Sequence, residues 1–202
     1  MSAEAGSQPT ERPPAARVFF ALWPAAENAR QLAALAGEFA RTAGGRATRP
    51  ETIHLTLAFL GDVAVDRLPA LENAARAVRA APFALTLDRC SYWGHNRLLW
   101  AGCSHVPEAL GELAGKLDAA LSGAGFLNTT GHRSFTPHVT LVRKVGQREP
   151  KVPACVPLVW PCTSFVLVHS TLSATGPSYR PLAEFSLDGG AAAEVRPGES
   201  GS

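Results

Sequence analysis

His54-Leu55-Thr56-Leu57 and His138-Val139-Thr140-Leu141 are one four-residue pattern written twice, each copy set in a run of strand-forming residues. Side chains alternate faces along a strand, so each copy projects its His and Thr from one face and its two apolar residues from the other. The flanks repeat as well: Arg49, Thr52, His54 and Thr56 have counterparts in Arg133, Thr136, His138 and Thr140, all displaced by 84 positions (138 minus 54). A shared offset over four residue types indicates a duplicated unit with both copies kept polar on one face. The expected constellation is two imidazoles and two hydroxyls facing each other across a groove.

The rest of the composition bounds what such a groove can serve. A chain of 202 residues with 46% hydrophobic content can bury a full core. The formal net charge is only +2, carried by sixteen Arg and three Lys against 17 acids, which suits a local phosphate-binding patch better than a general nucleic-acid surface. Cys90, Cys103, Cys155 and Cys162 show no C-x-x-C spacing and no secretion-type apolar run precedes them, so a reducing cytoplasm is expected. No apolar stretch approaches the roughly 20 residues of a membrane span.

Outward from the motifs, residues 1–16 have a disordered-tail composition of Ala, Pro, Glu, Ser and Gly, and order is expected to end again over 189–202. The folded unit is thus 17–188. Arg17 to Trp23 (RVFFALW) reads as a strand buried on both faces, and Pro24 opens a helix carrying Leu32, Leu35, Ala36 and Phe39, closed by Gly44-Gly45. Thr52 to Leu60 is the first motif strand, stopped by Gly61-Asp62. A second helix follows with Leu68, Leu71, Ala75 and Val78. Phe83–Leu87 and Arg97–Ala101 read as strands able to pair as a hairpin, with Trp93 to Asn96 in the loop. Pro107 begins a third helix whose Leu110, Leu113, Leu117 and Leu121 form the cleanest apolar stripe in the chain. Phe135 to Val142 is the second motif strand, and Phe165–Leu172 and Tyr179–Leu187 flank a Thr-Gly-Pro-Ser hairpin turn. The fold class is α+β and bilobal, with two facing antiparallel sheets and helices on the outside.

A single His-x-Thr in a strand is most often a hydrogen-bonded structural residue, but two in matching contexts ask for a shared role. Zinc is disfavoured, because neither copy has a Cys, Asp or Glu at i+2 or i+4. A serine hydrolase is unsupported in the absence of a G-x-S-x-G elbow. Two imidazoles that titrate near neutrality, each beside a hydroxyl, suit a reaction that takes one proton and gives another around an anionic centre, as phosphodiester cleavage does.

At these residues the chain resembles the 2H phosphoesterases, and among them the RNA 2′,3′-cyclic phosphodiesterases also called 2′-5′ RNA ligases. The likeness runs from RVFFALW through HLTLAFLG, LLWAGC and PHVTLVRK to the hairpin between Leu172 and Tyr179. It implies that His54 is the general acid, His138 the general base, and Thr56, Thr140 and Arg143 phosphate ligands, with Phe59 packing on the base. It further implies metal-independent hydrolysis of RNA 2′,3′-cyclic phosphate ends to a 2′-phosphate, weak 2′-5′ ligation as the reverse, no cofactor, and a cytoplasmic monomer whose partner is the RNA end. Strict alternation sets Arg143 and Phe59 on the face opposite the histidines, so both need a bulge or twist to reach the groove. Two other readings stay open on the sequence alone: a binding module of the same fold, and a phosphodiesterase for a small cyclic nucleotide. His95, His105 and His169 read as surface or structural residues and Trp23, Trp93, Trp100 and Trp160 as core. His132, Arg49 and Arg133 are placed to meet RNA beyond the scissile phosphate.

Overall fold

The computed structural model describes residues 14–128, 135–152, 154–173 and 176–188. Of the expected tail at 1–16, residues 1–13 lie outside the described residues, as do the tail at 189–202 and the His132 and Arg133 candidates, whereas Ala15 and Ala16 already belong to the first strand. The elements run β1 (Ala15–Leu22), α1 (Ala26–Ala43), β2 (Arg46–Ala47), β3 (Leu55–Ala64), α2 (Leu68–Arg76), β4 (Phe83–Leu87), β5 (Arg89–Trp93), β6 (Leu98–Gly102), α3 (Glu108–Gly123), β7 (Val139–Arg143), β8 (Leu158–Cys162), β9 (Ser164–Ser173) and β10 (Gly176–Ser186). The class is α+β, as expected.

Two antiparallel blocks make up the main sheet, β10-β9-β1-β3 and β2-β7-β6-β5. They join at one residue pair, Leu55 of β3 with Val139 of β7, so the two expected sheets are two lobes of a single eight-stranded sheet. The duplication is visible in the topology. Each unit is a strand, a helix and a motif strand that returns antiparallel beside the first: β1-α1-β3 in one lobe, β6-α3-β7 in the other. The helices cross the joint. Helix α1 packs against β7 and α3 against β3, so each covers the motif strand of the other unit.

The core lies between the helices and one face of this sheet, and it runs unbroken through both lobes. Leu110, Leu113, Leu117 and Leu121 of α3 are all fully buried in it; each such leucine contributes roughly 2 kcal/mol of transfer free energy. Leu55, Leu57, Val139 and Leu141 reach the same core, which commits the opposite face of both motif strands to the groove. Strand β1 is buried on both sides as expected: Val18, Phe20 and Leu22 face the helices, while Phe19 and Ala21 join Val166 and Val168 in a second apolar cluster under the groove.

Four expectations on the elements are corrected. The motif strands begin at Leu55 and Val139 rather than at Thr52 and Phe135, so His54 and His138 stand one residue ahead of them. The hairpin pairs β5 with β6, whereas β4 pairs with β8 in a separate two-stranded sheet; β5 is too polar and β8, with Pro161, too irregular to announce itself. Gly61-Asp62 does not end the first motif strand. Gly61 takes φ +71° and Leu60 bulges out of register with β1, so the strand bends and continues to Ala64. Helix α2 ends at Arg76, leaving Val78 buried in the following turn.

Candidate active site

The pair Leu55–Val139 centres the site. It joins the two strands at the residue that stands between His and Thr in each motif, His54-Leu55-Thr56 on one side and His138-Val139-Thr140 on the other. The histidines are tethered identically. His54 Nδ1 lies 2.7 Å from the Thr52 carbonyl oxygen and His138 Nδ1 2.9 Å from that of Thr136. A carbonyl only accepts, so each Nδ1 carries a proton and donates it, leaving Nε2 of each ring for chemistry.

The surroundings of the two rings differ in degree. Trp23 stacks on His54 (centroids 5.7 Å apart, planes 11° apart), Phe19 lies tilted at 5.0 Å and Tyr179 meets it edge-on at 5.2 Å. His138 has Trp93 edge-on at 4.6 Å and Trp100 at 6.4 Å. Burial in this aromatic enclosure pushes the His54 pKa down to about 4, with Arg143 and His138 acting in the same direction and the Thr52 carbonyl partly opposing them. Burial also lowers His138, again with Arg143 assisting against the Thr136 carbonyl. Tyr179 is raised by burial. Both imidazoles are therefore neutral at pH 7.

Phe59 and Arg143 are brought to the groove face, and one device accounts for both. Along β3, Thr56 pairs with Ala21 but Ala58 with Phe20, so Leu57 is an extra residue; along β7, Thr140 pairs with Trp100 but Val142 with Leu99, so Leu141 is extra. Each bulge reverses the alternation after the Thr. Phe59 then shares the Thr56 face and Arg143 the Thr140 face, and both bulges stand at the same motif position, 84 residues apart (141 minus 57). Asn128 Oδ1 accepts the Phe59 N–H at 3.2 Å, and the Thr48 N–H donates to Leu141 O at 2.8 Å, supporting the irregular backbone. Arg143 lines one pocket with His54, Thr56 and Phe59, and the Arg17 guanidinium lies over the Phe59 ring at 5.0 Å.

Sequence reasoning missed the aromatic walls. Trp23 and Trp93 are half-buried beside the histidines and Trp100, though buried, touches His138, so of the four tryptophans read as core only Trp160 belongs wholly to it. An available signal was the alternation Phe19-Ala21-Trp23, whose second face has no helix to cover it. Arg49 reaches across to donate to the Pro177 carbonyl at 3.1 Å. Among the described residues there is no group of three or more His, Cys, Asp or Glu able to hold a metal ion, and no helix is long and apolar enough to cross a membrane.

Two imidazoles tethered alike through Nδ1, each in a His-x-Thr motif, with an arginine at the strand end, are the features of a two-histidine phosphoesterase. Residues 22–100 match the family model described as LigT like Phosphoesterase, and near full-length likeness to a curated relative shows that the chain belongs to that family. The chain is 31% identical over 171 residues to the RNA 2′,3′-cyclic phosphodiesterase of Escherichia coli K12, covering 85% of this chain and 96% of that protein. The Thermus thermophilus protein of the same name is 34% identical over 72% of this chain and 77% of its own length. The crystal structure of E. coli LigT complexed with 3′-AMP superposes with a TM-score of 0.78 at 30% identity, covering 86% of this chain and 99% of that one.

Proposed function

We propose that the chain is an RNA 2′,3′-cyclic phosphodiesterase that opens cyclic phosphate ends to a 2′-phosphate. His54 acts as general acid on the departing 3′ oxygen and His138 as general base on water. The observation that carries this reading is the matched tethering of the two rings: with both Nδ1 protons held by carbonyls, each Nε2 can take or give one proton on opposite sides of a phosphorus held between the strands. Thr56, Thr140 and Arg143 meet the phosphate oxygens, and Phe59 offers a ring to the base. The names of the relatives, and 3′-AMP in the E. coli structure, support a nucleotide at this position.

His54 takes the proton it needs from solvent as the substrate binds. A phosphate anion between the rings opposes the Arg143 field that disfavours a charged imidazole, and the Trp23 and Phe19 rings favour the cation once it forms. Hydroxyls and a guanidinium answer the phosphate charge, so neither metal nor other cofactor is required. The chain acts as a monomer in the cytoplasm, a placement supported by its four free thiols.

A dinucleotide ending in a 2′,3′-cyclic phosphate, incubated with the protein in EDTA and followed by phosphorus NMR, tests the reading. Conversion to the 2′-phosphate is expected. Recovery of unchanged substrate would make the chain a binding module, a 3′-phosphate product would mean that the ribose sits reversed, and activity restored only by added metal would sink the mechanism.

A further inference from the structure

Next to the histidine groove lies a small pocket that the mechanism does not use, lined by Arg46, Thr48, Arg49, Thr52 and the hairpin residue Pro177. Arg143 and Tyr179 line both this pocket and the groove, so the two spaces share a wall. Arg46 is the direct cross-strand partner of Arg143. Directly opposed like charges destabilise an antiparallel pair, and among the described residues no carboxylate pairs with Arg46, Arg49 or Arg143. The Arg46 guanidinium extends over Gly176, where an added Cβ would lie 3.3 Å from Nη1, and Arg49 is held by the Pro177 carbonyl. Thr48 Oγ1, enclosed beside them, has no hydrogen-bond partner. Three guanidiniums, two from the Arg46–Arg49 segment and one from β7, thus line one pocket where no carboxylate among the described residues neutralises them.

We infer that this pocket is a second phosphate subsite, which takes the phosphodiester linking the terminal nucleotide of the RNA to the one before it. The inference rests on the hydrolase reading above and deepens it. With a cyclic phosphate closing the 3′ end, the only backbone phosphate next to the reacting one is on the 5′ side, and it must pass a wall shared with the reacting phosphate. Arg143 then touches both anions, while Arg46 and Arg49 meet only the second. The subsite makes the enzyme selective for an RNA end over a free cyclic mononucleotide.

The test uses three substrates with the same terminal nucleotide: a 2′,3′-cyclic mononucleotide, the natural cyclic-ended dinucleotide, and that dinucleotide with its internucleotide link replaced by a neutral methylphosphonate. For the wild-type chain, kcat/KM for the natural dinucleotide should exceed that for the neutral one by roughly tenfold, the worth of one charge-assisted hydrogen bond. The neutral dinucleotide should fall close to the mononucleotide. In the double variant Arg46→Gln/Arg49→Gln the natural-to-neutral ratio should fall severalfold, to the part that Arg143 alone still supplies. A wild-type ratio near one, which needs no variant to fold, would overturn the subsite while leaving the hydrolase reading intact, as would a ratio that the double substitution does not change. Failure of all three substrates to turn over would remove the hydrolase reading and the subsite together.

Discussion

The His54 imidazole, stacked on Trp23 and tethered to the Thr52 carbonyl, is held in its neutral form by burial, and that fixes how the site responds to pH. Its folded-state value of about 4 lies below the ordinary 6.5, so between those limits the unfolded chain binds more protons than the folded one. Stability therefore rises with pH across that window and is lost as pH falls through it, by an amount on the order of 3 kcal/mol for this group at full effect. Urea titrations from pH 7 to 4.5 should show a shallower loss for His54→Gln than for the wild type; parallel curves would remove His54 as the cause. The same depression means that binding of an anionic ligand is coupled to uptake of a proton from the buffer. Calorimetry of nucleoside 2′-monophosphate binding at pH 7, run in two buffers of different ionisation enthalpy, should show net proton uptake and tighter binding as pH falls. Enthalpies independent of buffer would contradict this. The histidine roles separate on a substrate with an activated phenolate leaving group. His54→Ala and His138→Ala should each lose roughly 10²- to 10⁴-fold on the RNA end, but only His54→Ala should recover on the phenolate, which departs without a proton.

The bulges at Leu57 and Leu141 decide which residues after each Thr can reach the phosphate, and the turn at Gly45 supports the second of them. Gly45 has φ +99°, and a Cβ there would stand 2.7 Å from the Arg143 carbonyl oxygen and 2.9 Å from Val142 Cγ1. Both are closer than real contacts allow, and an L side chain is strained at that φ in any case. Gly45→Ala should push the end of β7 away and carry Arg143 with it. The expected outcome is a KM on cyclic phosphate raised roughly tenfold, as for loss of one charged hydrogen bond, with a lowered thermal midpoint; an unchanged KM would detach Arg143 from the site. These elements also mark what can be read from the chain beforehand. The paired motif, the three helices and the α3 stripe are written in apolar periodicity, which responds to burial and little else. A bulged leucine is as buried as an unbulged one, so neither Leu57 nor Leu141 signals that the alternation will reverse, and Phe59 and Arg143 fall on the wrong face when counted by twos. Trp23 and Trp93 escape such a reading for the converse reason: an aromatic residue in an apolar run looks the same whether it faces a core or walls a groove.

At the scale of the whole molecule, a groove that joins its two lobes through one residue pair in the sheet needs another tie to hold its histidines in register. The crossed helices supply it, since α1 lies on β7 and α3 on β3, and a single core runs beneath both motif strands. Sequence patterning indicates two similar units but not that each lends its helix to the other, because an amphipathic stripe says how much of a helix is buried and not against which strand. The crossing makes a specific claim about unfolding. If the lobes were independent, damage to α3 would loosen only one of them; if α3 is shared, it must loosen both. Leu117 is fully buried, and Leu117→Ala should cost about 2 to 5 kcal/mol, the range for a leucine removed from a packed core. Native-state hydrogen exchange read by mass spectrometry can follow β1 and β3 of one lobe and β6 and β7 of the other in the same sample. In the wild type the slowest amides of all four strands should open with one common free energy, the global value, and in Leu117→Ala all four should fall by the same increment. A loss confined to β6 and β7 would show that the lobes unfold separately, and would leave the single Leu55–Val139 pair as the joint between them.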